Sequence, residues 1–122
     1  MIRAILAGAA LIVASLAITA AALGTGSSTP TLKGTVGPSF TITLTKGGKK
    51  VTSLKAGKYK FVIADKSTMH SFGLDGPHGF AHDFTSVPFK GSKTATLNLK
   101  RGRYKYYCSA HEATMFAHFT VK

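Results

Sequence analysis

Period-two alternation of apolar and polar residues constrains the fold of this chain more than any other feature. In "SFTITLT", residues 39–45, the apolar residues Phe40, Ile42 and Leu44 alternate with threonines. Such a pattern predicts a strand with one buried face. It recurs along the chain between turns rich in Gly, Lys and Pro, and no segment has a helical period. We therefore expect an all-β fold, an antiparallel Greek-key β-sandwich of many short strands.

The same alternation predicts which side chains point into the core. They are Tyr59, Phe61 and Ile63 in "KAGKYKFVIAD", Ala95, Leu97 and Leu99 in "TATLNL", Tyr104, Tyr106 and Cys108 in "RYKYYC", and Phe119 and Val121 in "FAHFTVK". In "MHSFGL" the parity places His70 with Phe72 and Leu74, so we expect a buried imidazole. Met69 should face the other way and pack rather than ligate, and His118 should face outward.

The beginning of the chain predicts export. Arg3 precedes an uncharged stretch, residues 4–23, that ends in a small-residue motif, Ala20-x-Ala22. We interpret residues 1–23 as a cleaved signal peptide, although the stretch is also long enough for a retained membrane anchor, which needs about 20 residues. "GTGSSTPT", residues 24–31, predicts a flexible linker, and residues 32–122 a single domain. The expected location is periplasmic, extracellular or anchored to the outer face of the membrane.

The strong positive charge predicts acidic surroundings. The formal net charge is +12, from 16 Lys and Arg against 4 Asp and Glu. A basic domain is often a nucleic-acid binder, but export and the spread of lysines along the chain argue against that function. We expect a monomer that meets a protein partner with an acidic docking face, or an anionic membrane or wall surface. A surface that is merely soluble is the simpler alternative.

Four side chains predict a metal site. "YYCSAHEATMFAHFTVK" contains the only cysteine, Cys108, followed by His111 and Met115. In an exported chain a lone cysteine is buried, reactive, intermolecular or a metal ligand. Singly, a buried Cys or Met is ordinarily a packing residue. Together with His70 from a neighbouring strand, however, the residues supply a thiolate, two imidazoles and a thioether, the ligand set of a type 1 copper centre.

At this point the residues resemble a family. "DKSTMHSFGL", "KAGKYKFVIAD" and "YYCSAHEATMFAHFTV" look like segments of the plastocyanin, azurin and amicyanin family of blue copper proteins, the cupredoxins, and the resemblance covers nearly all of residues 34–122. It implies a Greek-key β-sandwich with one copper ion near one end. The implied ligands are His70, Cys108, His111 and Met115.

The resemblance also implies roles for neighbouring residues. His111 would be the solvent-edge ligand through which electrons pass, Phe72 and Phe116 would form an apolar rim, and an acceptor would hold the other ring nitrogen of His70. The sequence departs from the family at Ser71, where many members have an Asn that ties the two ligand loops together. The three-residue spacer between His111 and Met115 also varies among relatives.

The function that follows is an exported carrier that shuttles single electrons between redox partner proteins by Cu(I)/Cu(II) cycling. A copper-delivery protein without electron relay has the same ligands and is the alternative. An enzyme with Cys108 as nucleophile and His111 as base is disfavoured because both residues suit a shared ion better, so we do not expect an enzyme. Zinc is disfavoured because a thioether binds it poorly. His78, His82 and Asp83 could form a second metal site, although scattered loop histidines are usually just solvated.

Overall fold

The computed structural model describes residues 28–122, which form ten strands and two short 3₁₀ turns. The predicted signal peptide and residues 24–27 of the predicted linker lie outside the described residues. The strands are β1 (Thr31–Val36), β2 (Ile42–Lys46), β3 (Lys49–Lys50), β4 (Ser53–Leu54), β5 (Gly57–Asp65), β6 (Phe72–Asp75), β7 (Ala81–Thr85), β8 (Gly91–Leu99), β9 (Gly102–Tyr107) and β10 (Phe116–Val121). The 3₁₀ turns are Pro77–Gly79 and Ser109–His111. No helix among residues 28–122 is long and apolar enough to cross a bilayer.

The strands pair into two five-stranded sheets, which confirms the predicted β-sandwich. One sheet has the order β3-β2-β1-β5-β8 and the other the order β4-β10-β9-β6-β7. Each sheet contains one parallel pair, β1 with β5 and β4 with β10, and the other pairs are antiparallel. The sheets are therefore mixed rather than purely antiparallel.

The core between the sheets contains the side chains that the alternation predicts. Most are buried, and Ala95 and Leu97 pack against the core from its edge. Phe72 stacks on Tyr106 at 5.8 Å between ring centroids, and Tyr104 stacks on Phe119 at 5.2 Å. Each buried aromatic removes about 150–250 Å² from water, worth several kcal/mol at about 25 cal/mol/Å². The alternating aromatic side chains Tyr104 and Tyr106 thus anchor β9, the strand that leads to Cys108.

The alternation does not reveal β1, because Gly34 interrupts its apolar face. Leu32 and Val36 are buried on either side of this glycine. A Cβ at Gly34 would collide with the side chains of Ile63 and Phe72. Glycine is therefore required where two large core residues fill the space of a side chain.

Phe40 lies outside the predicted strand face. Strand β2 begins only at Ile42, so the alternation of "SFTITLT" extends past the real strand. The Phe40 side chain is 64% exposed, whereas Leu44 is fully buried. The prediction that Phe40 faces inward with Ile42 and Leu44 is wrong, because Phe40 lies in the β1–β2 connection.

The strand register defines two ends of the sandwich. At the site end, β1, β5 and β9 finish while β2, β6 and β10 begin, as the pairs Val36↔Asp65, Gly73↔Tyr107 and Phe116↔Tyr107 show. At the opposite end, β5 begins beside the end of β8, and β9 begins beside the end of β10. Strand β5 has nine residues, so the ends are about 26 Å apart at a rise of about 3.3 Å per residue.

Candidate metal centre

Three neighbouring strands bring the predicted ligands to the site end. His70 lies two residues before β6, Cys108 directly follows β9, and Met115 directly precedes β10. His111 ends the 3₁₀ turn between Cys108 and Met115. Because β9 pairs with both β6 and β10, the three segments converge on one point.

The donor atoms of two histidines and the cysteine form one cluster. The two Nδ1 atoms of His70 and His111 lie 3.2 Å apart, and Sγ of Cys108 lies 3.7 Å from each of them. Within residues 28–122 this is the one group of three or more His, Cys, Asp or Glu side chains close enough to hold a metal ion. Cys108 and His70 are buried, and His111 is half-buried. A buried cysteine sulfur and an imidazole at the surface thus face the same point.

Backbone hydrogen bonds close the ligand loop. The Cys108 N–H donates to the Met115 carbonyl at 3.0 Å, and the His111 N–H donates to the Cys108 carbonyl at 3.1 Å. The Met115 N–H in turn donates to the His111 carbonyl at 2.8 Å. Met115 is only 1% exposed. The loop therefore holds the backbone of Met115 beside that of Cys108 and keeps the Met115 side chain buried.

Ser71 ties the two ligand loops together, the role for which the family often has Asn. Its backbone N–H donates to Sγ of Cys108 at 3.4 Å, and its Oγ accepts a hydrogen bond from the Ser109 N–H at 2.8 Å. The two serine hydroxyls also lie 2.8 Å apart. A donor aimed at the sulfur stabilises a thiolate. Ser71 thus links the two ligand loops, as the resemblance implies for the Asn that many cupredoxins have at this position.

His70 is positioned by packing. Within the described part of the chain no hydrogen bond to its Nε2 is present, so the acceptor implied by the family is not found there. Gly37 approaches the ring so closely that a Cβ would lie 3.0 Å from the His70 Cδ2 atom. The ring of Phe40 meets it edge-on, 5.4 Å away between centroids. Asp65 supports the preceding turn by accepting a hydrogen bond from the Ser67 N–H at 3.1 Å.

Phe40 also contacts the second imidazole, a role that the sequence did not reveal. Its ring centroid lies 4.9 Å from that of His111, in an edge-to-face arrangement. It is also one of three exposed apolar side chains on the segments that contain or contact the candidate ligands, and we call these three the apolar rim. The rim consists of Phe40 (64% exposed), Met69 (61%) and Phe116 (43%).

Two expectations about this surface need correction. Phe72 was expected in the rim but is fully buried, because it belongs to β6 and stacks on Tyr106. Met69 was expected to pack, yet its side chain is exposed. Phe116 is exposed, and its ring lies against His118, with centroids 5.7 Å apart.

Glu112, the acidic residue of the ligand loop, is paired with Lys105. Nζ of Lys105 lies 2.9 Å from a carboxylate oxygen of Glu112 and 5.1 Å from the centroid of the Phe116 ring. The Tyr107 hydroxyl donates to Asp75 at 3.3 Å. Partial burial, and secondly the nearby Asp75 carboxylate, raise the pKa of Tyr107 above its ordinary value, so this phenol remains neutral at physiological pH.

The second metal site is not supported. His82 places its ring against Phe84, with centroids 4.5 Å apart. His78 is exposed in the turn after β6. Together with Asp83, these residues form no ligand cluster in the described structure.

Solved structures of similar fold are copper proteins. The chain is similar to a structure of reduced rusticyanin, with a TM-score of 0.55 and 24% identity over 78% of this chain and 81% of that chain. Rusticyanin from Thiobacillus ferrooxidans aligns with a TM-score of 0.51 and 23% identity, over 78% and 79% of the two chains. A multi-copper oxidase from Pediococcus acidilactici gives a TM-score of 0.52 and 15% identity, over 84% of this chain but 28% of that one.

At these identities the structural similarity establishes the fold. No protein family matches the sequence, and comparison with curated proteins gives no match. The resemblance predicted from the sequence is nevertheless confirmed at the level of architecture. Residues 28–122 form a β-sandwich with the cupredoxin fold.

Proposed function

We propose that this protein is an exported electron carrier that binds one type 1 copper ion through His70, Cys108, His111 and Met115. The observation that carries the proposal is the convergence of two imidazole Nδ1 atoms and one thiol sulfur within 3.7 Å of one another. One of the solved structures of similar fold is described as the copper protein rusticyanin.

The donor separations fit one shared ion. Nitrogen and sulfur ligands lie about 2.0 and 2.3 Å from a zinc ion of similar size, and a trigonal arrangement would then separate N from S by about 3.7 Å. Both observed N–S distances are 3.7 Å. The N–N distance of 3.2 Å is slightly below the corresponding value of about 3.5 Å. The three donors can therefore bind one ion with little rearrangement.

The donor chemistry favours copper over zinc. Both metals accept imidazole and thiolate, but a Met held within the core beside the Cys suits the weak axial position of a blue copper site. A copper ion bound here would supply a one-electron couple. The protein would contribute a ligand set that hardly moves, since hydrogen bonds within the 108–115 loop and from Ser71 fix the donors.

Electron exchange would occur through His111. This imidazole is half-buried at the site end, whereas Cys108 is completely buried. Phe40 covers part of the ring and excludes water without enclosing it. Close approach of a partner to the apolar rim would bring its redox centre near the imidazole without exposing the thiolate.

A copper-delivery protein remains the second candidate, because it would have the same ligands. The burial of Cys108 and Met115 favours a carrier, since a delivery site must release its ion to an acceptor. The burial of Cys108 also disfavours an enzymatic function, because a nucleophilic thiol must reach its substrate. Export remains part of the proposal and rests on the uncharged residues 4–23.

Copper loading tests the proposal. The Cu(II) protein should show an intense visible charge-transfer band and a narrow copper hyperfine splitting, because both arise from a covalent Cu–thiolate bond. Cys108→Ser should abolish both signals. Ser92→Ala, an exposed change on β8, should preserve them. A colourless protein with the spectrum of tetragonal copper would contradict the assignment.

A further inference from the structure

A cluster of positive charge lies at the end opposite the candidate copper site. The cations there are Lys55, Lys58, Lys100, Arg101 and Lys122, all exposed, and we call this set the basic end. The β4–β5 and β8–β9 connections both lie at this end and contain no acidic residue.

The register confirms that these cations share one end. Gly57 pairs with Leu99, and Val121 pairs with both Gly102 and Leu54. The two sheets are joined here by the two-residue connections Lys55-Ala56 and Lys100-Arg101. The Ala56 N–H donates to the Lys122 carbonyl at 2.9 Å, which brings the end of β10 to the same surface.

The four acidic residues lie away from the basic end. Asp65 ends β5 at the site end, and Glu112 is paired with Lys105 in the ligand loop. Asp75 accepts a hydrogen bond from Tyr107, and Asp83 lies within β7. The acidic side chains therefore do not neutralise the charges of the basic end.

The chain also enters the domain at the basic end. Strand β1 begins at Thr31 opposite Lys60, and the Lys60 N–H donates to the Pro30 carbonyl at 2.9 Å. The described residues therefore begin on this side, and residues 4–23, which precede them in the sequence, contain no charge. The linker of residues 24–30 can span at most about 25 Å at about 3.5 Å per residue.

We propose that the basic end is a docking surface for an anionic lipid bilayer, which holds the copper site facing away from the membrane. Clustered, exposed Lys and Arg match the charge of acidic headgroups. The assignment does not depend on the identity of the metal.

The distance between the ends separates membrane binding from partner docking. Electrostatic attraction is screened over about 8 Å at physiological ionic strength, whereas the ends lie about 26 Å apart by the length of β5. The field of the basic end therefore contributes little at His111. The acidic docking face expected from the net charge stays a prediction, which the salt dependence of electron transfer decides.

Vesicle binding by the full chain tests the proposal. The basic-end variant combines Lys55→Gln, Lys100→Gln, Arg101→Gln and Lys122→Gln. The control combines Lys33→Gln, Lys66→Gln, Lys90→Gln and Lys93→Gln, which removes the same charge from exposed positions elsewhere. Residues 1–27 are identical in both, so any insertion of the apolar segment cancels in the comparison. Circular dichroism and the visible copper band confirm that each variant is folded.

We expect the basic-end variant to lose much more of its preference for anionic vesicles than the control variant does. Each cation near an anionic bilayer strengthens partitioning by about fivefold. The basic-end variant should thus lose roughly 100-fold or more of its preference for vesicles containing about one third phosphatidylglycerol over pure phosphatidylcholine. The control should lose far less. Equal losses in both variants, or no preference in the unmodified protein, would overturn the proposal. Binding to dextran sulfate without any preference for anionic vesicles would also overturn it.

Discussion

The link between Ser71 and Ser109 should account for much of the rigidity of the copper site. Ser71→Ala removes the acceptor of the Ser109 N–H and the contact between the two hydroxyls, both at 2.8 Å. Ser71 is 3% exposed, but Ser109 is exposed, so water can replace part of what is lost. At about 0.5–1.5 kcal/mol for each hydrogen bond, the free energy of unfolding should fall by about 1–3 kcal/mol. The melting temperature should fall by about 4–8 °C for each kcal/mol.

Chemical denaturation of the copper-free protein measures this loss without the stabilisation that a bound metal adds. Ser109→Ala should cost less, because the Ser109 N–H and its acceptor on Ser71 both remain. The double variant should destabilise by less than the sum of the single variants, with a coupling of about 0.5–1.5 kcal/mol. The blue band should survive in each variant, since the backbone donor to the sulfur remains. Strictly additive effects would refute the proposed link.

Three further changes probe the remaining parts of the site. Met115→Leu should leave the blue colour but raise the reduction potential measured by voltammetry, because loss of a weak donor disfavours Cu(II) more than Cu(I); an unchanged potential would mean that Met115 is not a ligand. Phe40→Ala should lower the reduction potential, because water then reaches both imidazole edges and stabilises the more highly charged oxidised site. Phe40→Leu should change the potential less. Equal potentials in the unmodified protein and both variants would contradict the covering role of Phe40. Gly37→Ala should lower the free energy of unfolding by about 1–3 kcal/mol and disturb the copper spectrum, because Gly37 has a positive φ of 73° and its Cβ would press on His70. Gly47→Ala also places a side chain at a positive φ, but its Cβ would meet no atom within 4 Å. It should therefore disturb the copper spectrum less than Gly37→Ala does.

The sequence predicts those parts of the fold in which local pattern and burial coincide. Tyr104, Tyr106 and Cys108 alternate on a strand with one face in the core, so their parity alone predicts their burial. The proximity of Cys108, His111 and Met115 was predictable because they lie on a single loop. The burial of His70 was predictable from its parity with Phe72 and Leu74.

The remaining features depend on contacts between distant segments. Strand β1 was not predicted, because Gly34 interrupts its apolar face where Ile63 and Phe72 fill the space that a larger side chain would need. Phe40 continues an alternating pattern beyond the end of the strand and lies on the imidazoles instead of in the core. The concentration of cations at one end was equally hidden, because lysines spread along the sequence come together only when the strand connections are known.

Voltammetry and self-exchange on one copper-loaded sample test the central claim most directly, because they separate a carrier from a delivery protein with the same ligands. A carrier should give a reversible one-electron wave, keep its copper in both oxidation states, and exchange electrons rapidly between oxidised and reduced molecules, as measured by NMR line broadening. Loss of copper to a Cu(I) chelator upon reduction, or an irreversible wave with slow exchange, would contradict the proposed electron-carrier function.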